Sequence, residues 1–551
     1  MHKVLKTLLV AAFFATGIFF ASAQKAPEKN WNSARIVHEL KKMKHVGRVL
    51  YVAAHPDDEN TQLISYLAND LGLETAYLSL TRGDGGQDLL GPEVREELGV
   101  IRTQELLMAR SVDGGQQFFS RANDFGFSKT AAETFHIWDS TQVLSDMVWV
   151  IRKFKPDLII TRFSPTYAKT HGHHQASAML AMVAFNAAAD PTKFPEQLKY
   201  VDTWQAEGLY WNTSTFFFQD NKFDTAGLYH TNIGTYLPLL GKSVGELAAE
   251  SRTMHKSQGM GTTPRRGDIA EYFVSLEGKK STTKDIFQSI NSDWSRIKGC
   301  EGISSEIDKL IEHFDMNMQS PEQSVSWLID LDKKLQAFKS NYLVASKIQQ
   351  IEDLILQCDG MYTEALSTKE FLPVSDSINL SLNILHQSSG YNASVTTSLM
   401  IDGRKITTIT KDSTIPENIY KVFKASSVIP DSTHITGPYW LENTPSVGMY
   451  NVPSQLLRGL PQNPKQLTVH ISYELRGTGL CNACPTITIE KDVPVFYKTI
   501  DPIKGEQYAL ARIVPPAVAN PQSKLLVFNS TEPKDLIVNL KSFRNGKAHI
   551  L

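Results

Sequence analysis

The run AHPDDE (54–59) places His55, Asp57, Asp58 and Glu59 directly after the apolar residues Val49 to Ala54. An unpaired carboxylate is costly to bury, so such a cluster is exposed, internally paired or bound to a metal. A second cluster, THGHHQAS (170–177), holds His171, His173 and His174 and follows another apolar run, DLIITRF (157–163). Two imidazoles and one carboxylate, as in His55, Asp58 and His174, leave coordination positions open for water and suit catalytic zinc; iron(II) accepts the same donors. The charges after the strand then read as metal ligands and a base for a water activated there.

For this chemistry the fold must bring together two clusters that are far apart in the chain. Strand-like runs RVLYVAA (48–54), TAYLSL (75–80), QQFF (116–119) and DLIITRF (157–163) alternate with helical patterns at 61–71, 93–111 and 141–154. The alternation predicts an α/β fold, a Rossmann-like parallel sheet covered on both faces. Ligands of such sheets lie beyond the carboxyl ends of the strands. Each cluster follows a strand and precedes a helix, so both belong at the same edge. Arg82 and Asp84 of TRGDGG (81–86) follow another strand end and are candidates for binding sugar hydroxyls, with a structural turn as the competing reading.

A chain of 551 residues is too long for one core, and about three to four domains is the expectation. Residues 1–23 have Lys3 and Lys6, an apolar run from Leu8 to Phe20 and a small-residue site at Ala21-Ser22-Ala23, the pattern of a secretory signal cleaved before Gln24. The expected product is periplasmic or secreted, without a stable membrane anchor. The catalytic α/β domain is expected over 24–244 and a helical module over 245–370, where ELAAESRTMH, IFQSINSDWSRI, SSEIDKLIEHF and VSWLIDLDKKLQAF repeat at helical spacing. Short alternating runs over 371–500 predict a β-sandwich region, and 501–551 a partial β module or an extension of the preceding sheet. The formal charge of −2, made slightly more acidic when the two leader lysines are removed, gives no electrostatic case for nucleic acid. Cys481 and Cys484 read as a local disulfide or two free thiols rather than half of a metal site.

Several motifs together resemble the PIG-L or LmbE-like zinc-dependent de-N-acetylases: AHPDDE (54–59), LTRGDGGQ (80–87), RTQE (102–105), the His-x-x-His of HGHHQA and LYW (209–211). The resemblance covers about 45–215 and implies His55, Asp58 and His174 as metal ligands, Asp57 as general base and His171 as the imidazole facing the scissile amide. The family often has an acid just before the last His, where this chain has His173; its absence bears on the protonation of His171. The activity implied is removal of acetyl groups from N-acetylated amino sugars or glycoconjugates. The alternatives are a non-enzymatic glycan-binding or cell-surface protein working through its β modules, and a metal-dependent esterase or phosphoesterase. Arg102 and Glu105 read as a structural pair on one helix, and His255 as a helix end packed between domains, with reach toward the metal cleft as the competing reading. Tyr439, Trp440 and Tyr450 read as aromatic core filling.

Overall fold

The uninterrupted apolar character of β1 (Arg48–Ala53) has a direct cause: alternate residues enter different cores. Val49, Tyr51 and Ala53 join one cluster with Leu63, Leu67 and Leu106, while Leu50 and Val52 join another with Val143, Met147 and Leu180. Helices Thr61–Asn69 and Glu96–Asp113 supply the first cover, and Ser140–Phe154 and Gly172–Ala187 the second. The computed structural model describes residues 30–166, 170–218, 223–478, 485–523 and 526–544. The expected signal (1–23) and the Cys481 and Cys484 pair lie outside the described residues.

Strands β2 (Glu74–Ser79), β3 (Gln116–Phe119), β4 (Leu158–Thr161) and β5 (Gly208–Thr213) run parallel to β1 in the order β3-β2-β1-β4-β5. The adjacency of β1 and β4, with Val52 opposite Thr161, brings the two clusters to one edge. After β6 (Tyr229–Asn232) and a small hairpin of β7 (Tyr236–Leu237) and β8 (Lys242–Ser243), β9 (Ala270–Gly278) enters antiparallel between β5 and β6.

The expected boundary at residue 244 shifts. Helix Val244–Arg252 packs on Thr61–Asn69 and Glu96–Asp113, and β9 is a sheet strand, so the α/β layer runs on to about residue 278. A helical period shows that a segment is amphipathic but not which surface it covers. IFQSINSDWSRI forms only the short turns Ile286–Ser289 and Trp294–Arg296. Its polar side chains bond to nearby backbone instead: Asp293 Oδ1 accepts from Ser295 N–H at 2.7 Å. The first described helix, Ser33–Lys42, leaves the expected catalytic domain in turn. Its Ile36 and Leu40 share a core with Ile307, Leu328 and Leu354 of helices Ile303–Met316, Val325–Gln336 and Tyr342–Cys358.

That core continues into the β-rich region through Leu382, Val469 and Ile489. The strands are β10 (Met361–Ser367), β11 (Phe371–Pro373), β12 (Ser377–His386), β13 (Tyr391–Ile401), β14 (Arg404–Ile415), β15 (Lys421–Val428), β16 (Leu467–Gly477), β17 (Ile487–Asp501) and β18 (Gly505–Leu510). All of these but β11 connect into an eight-stranded sheet in the order β14-β13-β16-β17-β10-β12-β15, with β18 on β17. The length of β17 makes this possible: Ile487–Pro494 pairs with β16, and the residues beyond pair with β10 and β18. β19 (Arg512–Val514) pairs with β11, and β20 (Ala517–Pro521) with β21 (Val538–Ser542) in a separate ribbon.

Between β15 and β16 the chain returns to the α/β sheet. Phe119 N–H donates to Gly459 O, Asn123 N–H to Gly448 O, Tyr450 N–H to Arg121 O and Trp149 Nε1 to Arg458 O. Under this segment the Arg82 guanidinium lies 3.4 Å from the Trp440 ring centre and 4.2 Å from that of Phe119. It donates to Thr103 Oγ1 and Pro461 O at 3.0 Å and to Leu460 O at 3.2 Å. Trp440→Ala would open a cavity over a buried cation, and we expect it to destabilise the protein by about 3–5 kcal/mol. Thermal unfolding measures this, and an unchanged melting temperature would show that the segment is not anchored here.

Candidate metal centre and catalytic cleft

At the end of β1 the chain turns sharply, and Tyr77 Oη from β2 holds His55 O. Asp58 Oδ2 accepts from His55 N–H at 2.7 Å and lies 3.2 Å from His55 Nδ1. Asp58 Oδ1 is 3.4 Å from His174 Nε2. One ligand atom each from His55, Asp58 and His174 lies within 4.8 Å of the others, and the same holds for His55, His171 and His173. The first group mixes carboxylate and imidazole as a catalytic divalent metal prefers, and its donor chemistry fits such an ion. In the second group, His173 is fully buried against Trp138, stacked at 4.6 Å. His174 is aligned by Phe163, whose ring is parallel at 3.8 Å.

Helix Gly172–Ala187 orients the second cluster. His171 is its N-cap, with Nδ1 accepting from His173 N–H at 3.1 Å. Gly172 is required for this approach, since a Cβ there would lie 2.3 Å from Thr130 O. Ser128 N–H approaches Nε2 of the same ring at 3.3 Å. A neutral ring can accept at only one of these nitrogens; burial, followed by the charges of His55 and His174, lowers His171 to about 4.

Three consecutive acids differ sharply in charge. Burial opposes ionisation of Asp58, but His174 and His55 hold it well below the usual carboxylate range. Burial likewise opposes ionisation of Glu59, but His255 and Arg110 hold it at about 2. Asp57 between them is pushed up to about 7, first by burial and then by Asp58. Burial works against a charged His55 too, yet Asp124 and Asp58 raise it to about 9, so a metal would displace a proton there. Asp57 has φ 100°, a conformation that costs a non-glycine residue about 1–3 kcal/mol unless its surroundings impose it.

His55, Asp57, Asp58, His171 and His174 therefore meet at one edge. Arg82 and Asp84 are 1% and 3% exposed under the returning segment, Asp84 accepting from Tyr450 Oη at 3.0 Å and from Asp124 N–H at 3.4 Å, so neither is open to a sugar. The strand-end position placed them near the site but could not show that a distant segment covers them. Tyr439, Trp440 and Tyr450 are buried there as filling. Arg102 and Glu105 do not pair with each other. Arg102 donates to Gly83 O and Gln87 O, and Glu105 accepts from Ser257 N–H and Oγ–H. Sequence reasoning missed Asp124, 3.7 Å from His173 Nδ1 and 3.9 Å from His55 Nε2, although it too follows a strand end. His255, read as an interdomain helix end, instead contacts Glu59 Oε1 at 2.7 Å.

Residues 50–185 match the PIG-L family model, described as GlcNAc-PI de-N-acetylase, and are a PIG-L family domain. The chain is 27% identical over 197 residues to a mycothiol S-conjugate amidase of Streptomyces coelicolor, covering 33% of this chain and 64% of that protein. It is 30% identical over 150 residues to a 1D-myo-inositol 2-acetamido-2-deoxy-alpha-D-glucopyranoside deacetylase of Corynebacterium urealyticum, covering 23% of this chain and 44% of that protein. The chain thus spans less than two thirds of the length of these curated relatives. A structure of N,N'-diacetylchitobiose deacetylase from Pyrococcus horikoshii aligns with 38% of this chain and 70% of its own, at 19% identity and a TM-score of 0.29.

Two outcomes follow from the geometry. His174→Ala should lose bound metal on dialysis while Asp57→Asn keeps it, because only the first removes a ligand; equal loss, read by elemental analysis, would overturn the assignment. Glu59, depressed from 4.5 to about 2, stabilises the fold fully above about pH 4.5 and loses that contribution as pH falls toward 2. The melting-temperature gap between the protein and Glu59→Gln should therefore narrow over this window, by the equivalent of roughly 3 kcal/mol. A pH-independent gap would mean that Glu59 is not held ionised.

Proposed function

We propose that the protein is an exported, metal-dependent amidohydrolase that removes acetyl groups from N-acetylated amino sugars or their conjugates. Its scaffold is read as a Rossmann-like sheet followed by a helical module and a β-sandwich region. The observation that carries the proposal is the meeting of His55, Asp58 and His174, with the His171 ring 5.4 Å from that of His55 and 5.2 Å from that of His174, within a stretch matching a de-N-acetylase family model. The relatives' names, an amidase and a deacetylase of an acetamido sugar, support the same bond type.

His55, Asp58 and His174 would hold zinc, or iron(II), which when bound supplies a Lewis acid and lowers the pKa of water. Asp57 then takes the proton of the attacking water. Burial and the neighbouring Asp58 favour its protonated form, so it can accept the proton and pass it to the departing amine. His171, held neutral by its burial and by its imidazole neighbours, accepts from His173 N–H at Nδ1, so its single N–H would be on Nε2 and would be offered to the oxyanion in place of Ser128 N–H, without a full positive charge. Acetate and the free amine are the products.

A screen of N-acetylhexosamine derivatives for acetate release by the metal-loaded protein tests the proposal. Asp57→Asn should reduce the rate at least ~100-fold with metal retained. Hydrolysis of esters or phosphoesters without acetate release from any amide would refute it.

A further inference from the structure

We infer that Arg252 is a positioning residue that holds Asp57 in its catalytic conformation, an inference that rests on Asp57 acting as the base. Asp57 has φ 100°, which side chains other than glycine rarely adopt, so something must impose it. The contacts that impose it come from both sides of its peptide units. Asp57 N–H donates to Glu59 Oε2 at 2.9 Å, and Asp57 O accepts from Arg252 Nη1 at 2.6 Å. One residue earlier, Pro56 O accepts from Gln258 Nε2 at 2.9 Å.

The carboxylate that grips Asp57 N–H is itself gripped. Glu59 Oε1 meets His255 Nε2 at 2.7 Å and Arg110 Nη2 at 3.4 Å, with Glu59 and His255 buried. Arg110 pairs in turn with Asp113, which accepts from Ser251 Oγ at 2.6 Å. Ser251, Arg252, His255 and Gln258 thus converge from one short stretch onto the turn or its anchors. That stretch lies beyond residue 185, where the family match ends.

The brace is selective for the base. The ligands flanking Asp57 have separate supports: Tyr77 Oη holds His55 O, and His55 N–H holds Asp58 Oδ2. Arg252 touches neither ligand side chain; its other terminal nitrogen contacts Met260 Sδ at 3.3 Å. Releasing Asp57 O would free the strained residue to relax and swing its carboxylate from the water, while the ligands stay in place.

The test is Arg252→Met in the full metal-loaded chain, assayed on the N-acetylhexosamine derivative that gives most acetate. The expected result is a kcat at least ~10-fold lower, with KM within about twofold and metal content and melting temperature unchanged. Arg252→Lys, which keeps a donor, should recover part of the loss. In the Asp57→Asn background, Arg252→Met should cost nothing further, since the group it serves is gone. Metal loss in step with activity, the same rate factor in the Asp57→Asn background, no recovery with Lys, or an unaltered kcat would each overturn the inference. An unsubstituted protein that releases no acetate overturns the reading of Asp57 and the brace together, whereas an active enzyme indifferent to Arg252→Met overturns the brace alone.

Discussion

Three adjacent carboxyl groups in a largely buried turn cannot all carry charge without opposite charges to offset them. Here the offsets are divided between two sides of the chain. Asp58 faces the imidazoles of His55 and His174, and Glu59 faces His255 and Arg110. Asp57, half-buried and left beside two ionised neighbours, is the one whose pKa is raised to about 7. The same division that favours the charge of Asp58 and Glu59 disfavours that of Asp57, and the three acids differ because of where their partners stand.

This arrangement draws on elements from well beyond the sheet edge. His255 comes from the turn after helix Val244–Arg252, Arg110 from the helix before β3, and His174 from the first turn of helix Gly172–Ala187, which follows β4. On the neighbouring strand ends, the segment returning from the β-rich region covers Arg82 and Asp84 with Trp440 and Tyr450. The TRGDGG loop is consequently fixed between the catalytic layer and the C-terminal region, and the β-rich part of the chain is mechanically continuous with the cleft. Among the described residues no helix is long and apolar enough to cross a membrane.

The candidate metal-binding group and its location at a strand edge were legible in the sequence because both are local. A strand that ends in His-x-x-Asp, and another that leads to His-x-x-His, carry their chemistry in residues a turn apart. The alternation of strands and helices then requires both ends to lie on the same side of a parallel sheet. The continuous apolar run of β1 signalled burial on both faces for the same reason. What only the tertiary structure decided concerns partners distant in the chain. Periodicity shows that a side chain is buried, but not what meets it, so Arg82 read as open to a sugar lies under Trp440, and Arg102 and Glu105, one turn apart, bond to different loops. The α/β layer likewise takes in β9 and sheds the helix Ser33–Lys42, because strand pairing and helix docking are set by surfaces that no single segment encodes. The charge states of Asp57, Asp58 and Glu59 depend on the same long-range placement: the three acids are adjacent in sequence, and their electrostatic fields come from His174, Arg110 and His255, which only folding brings near.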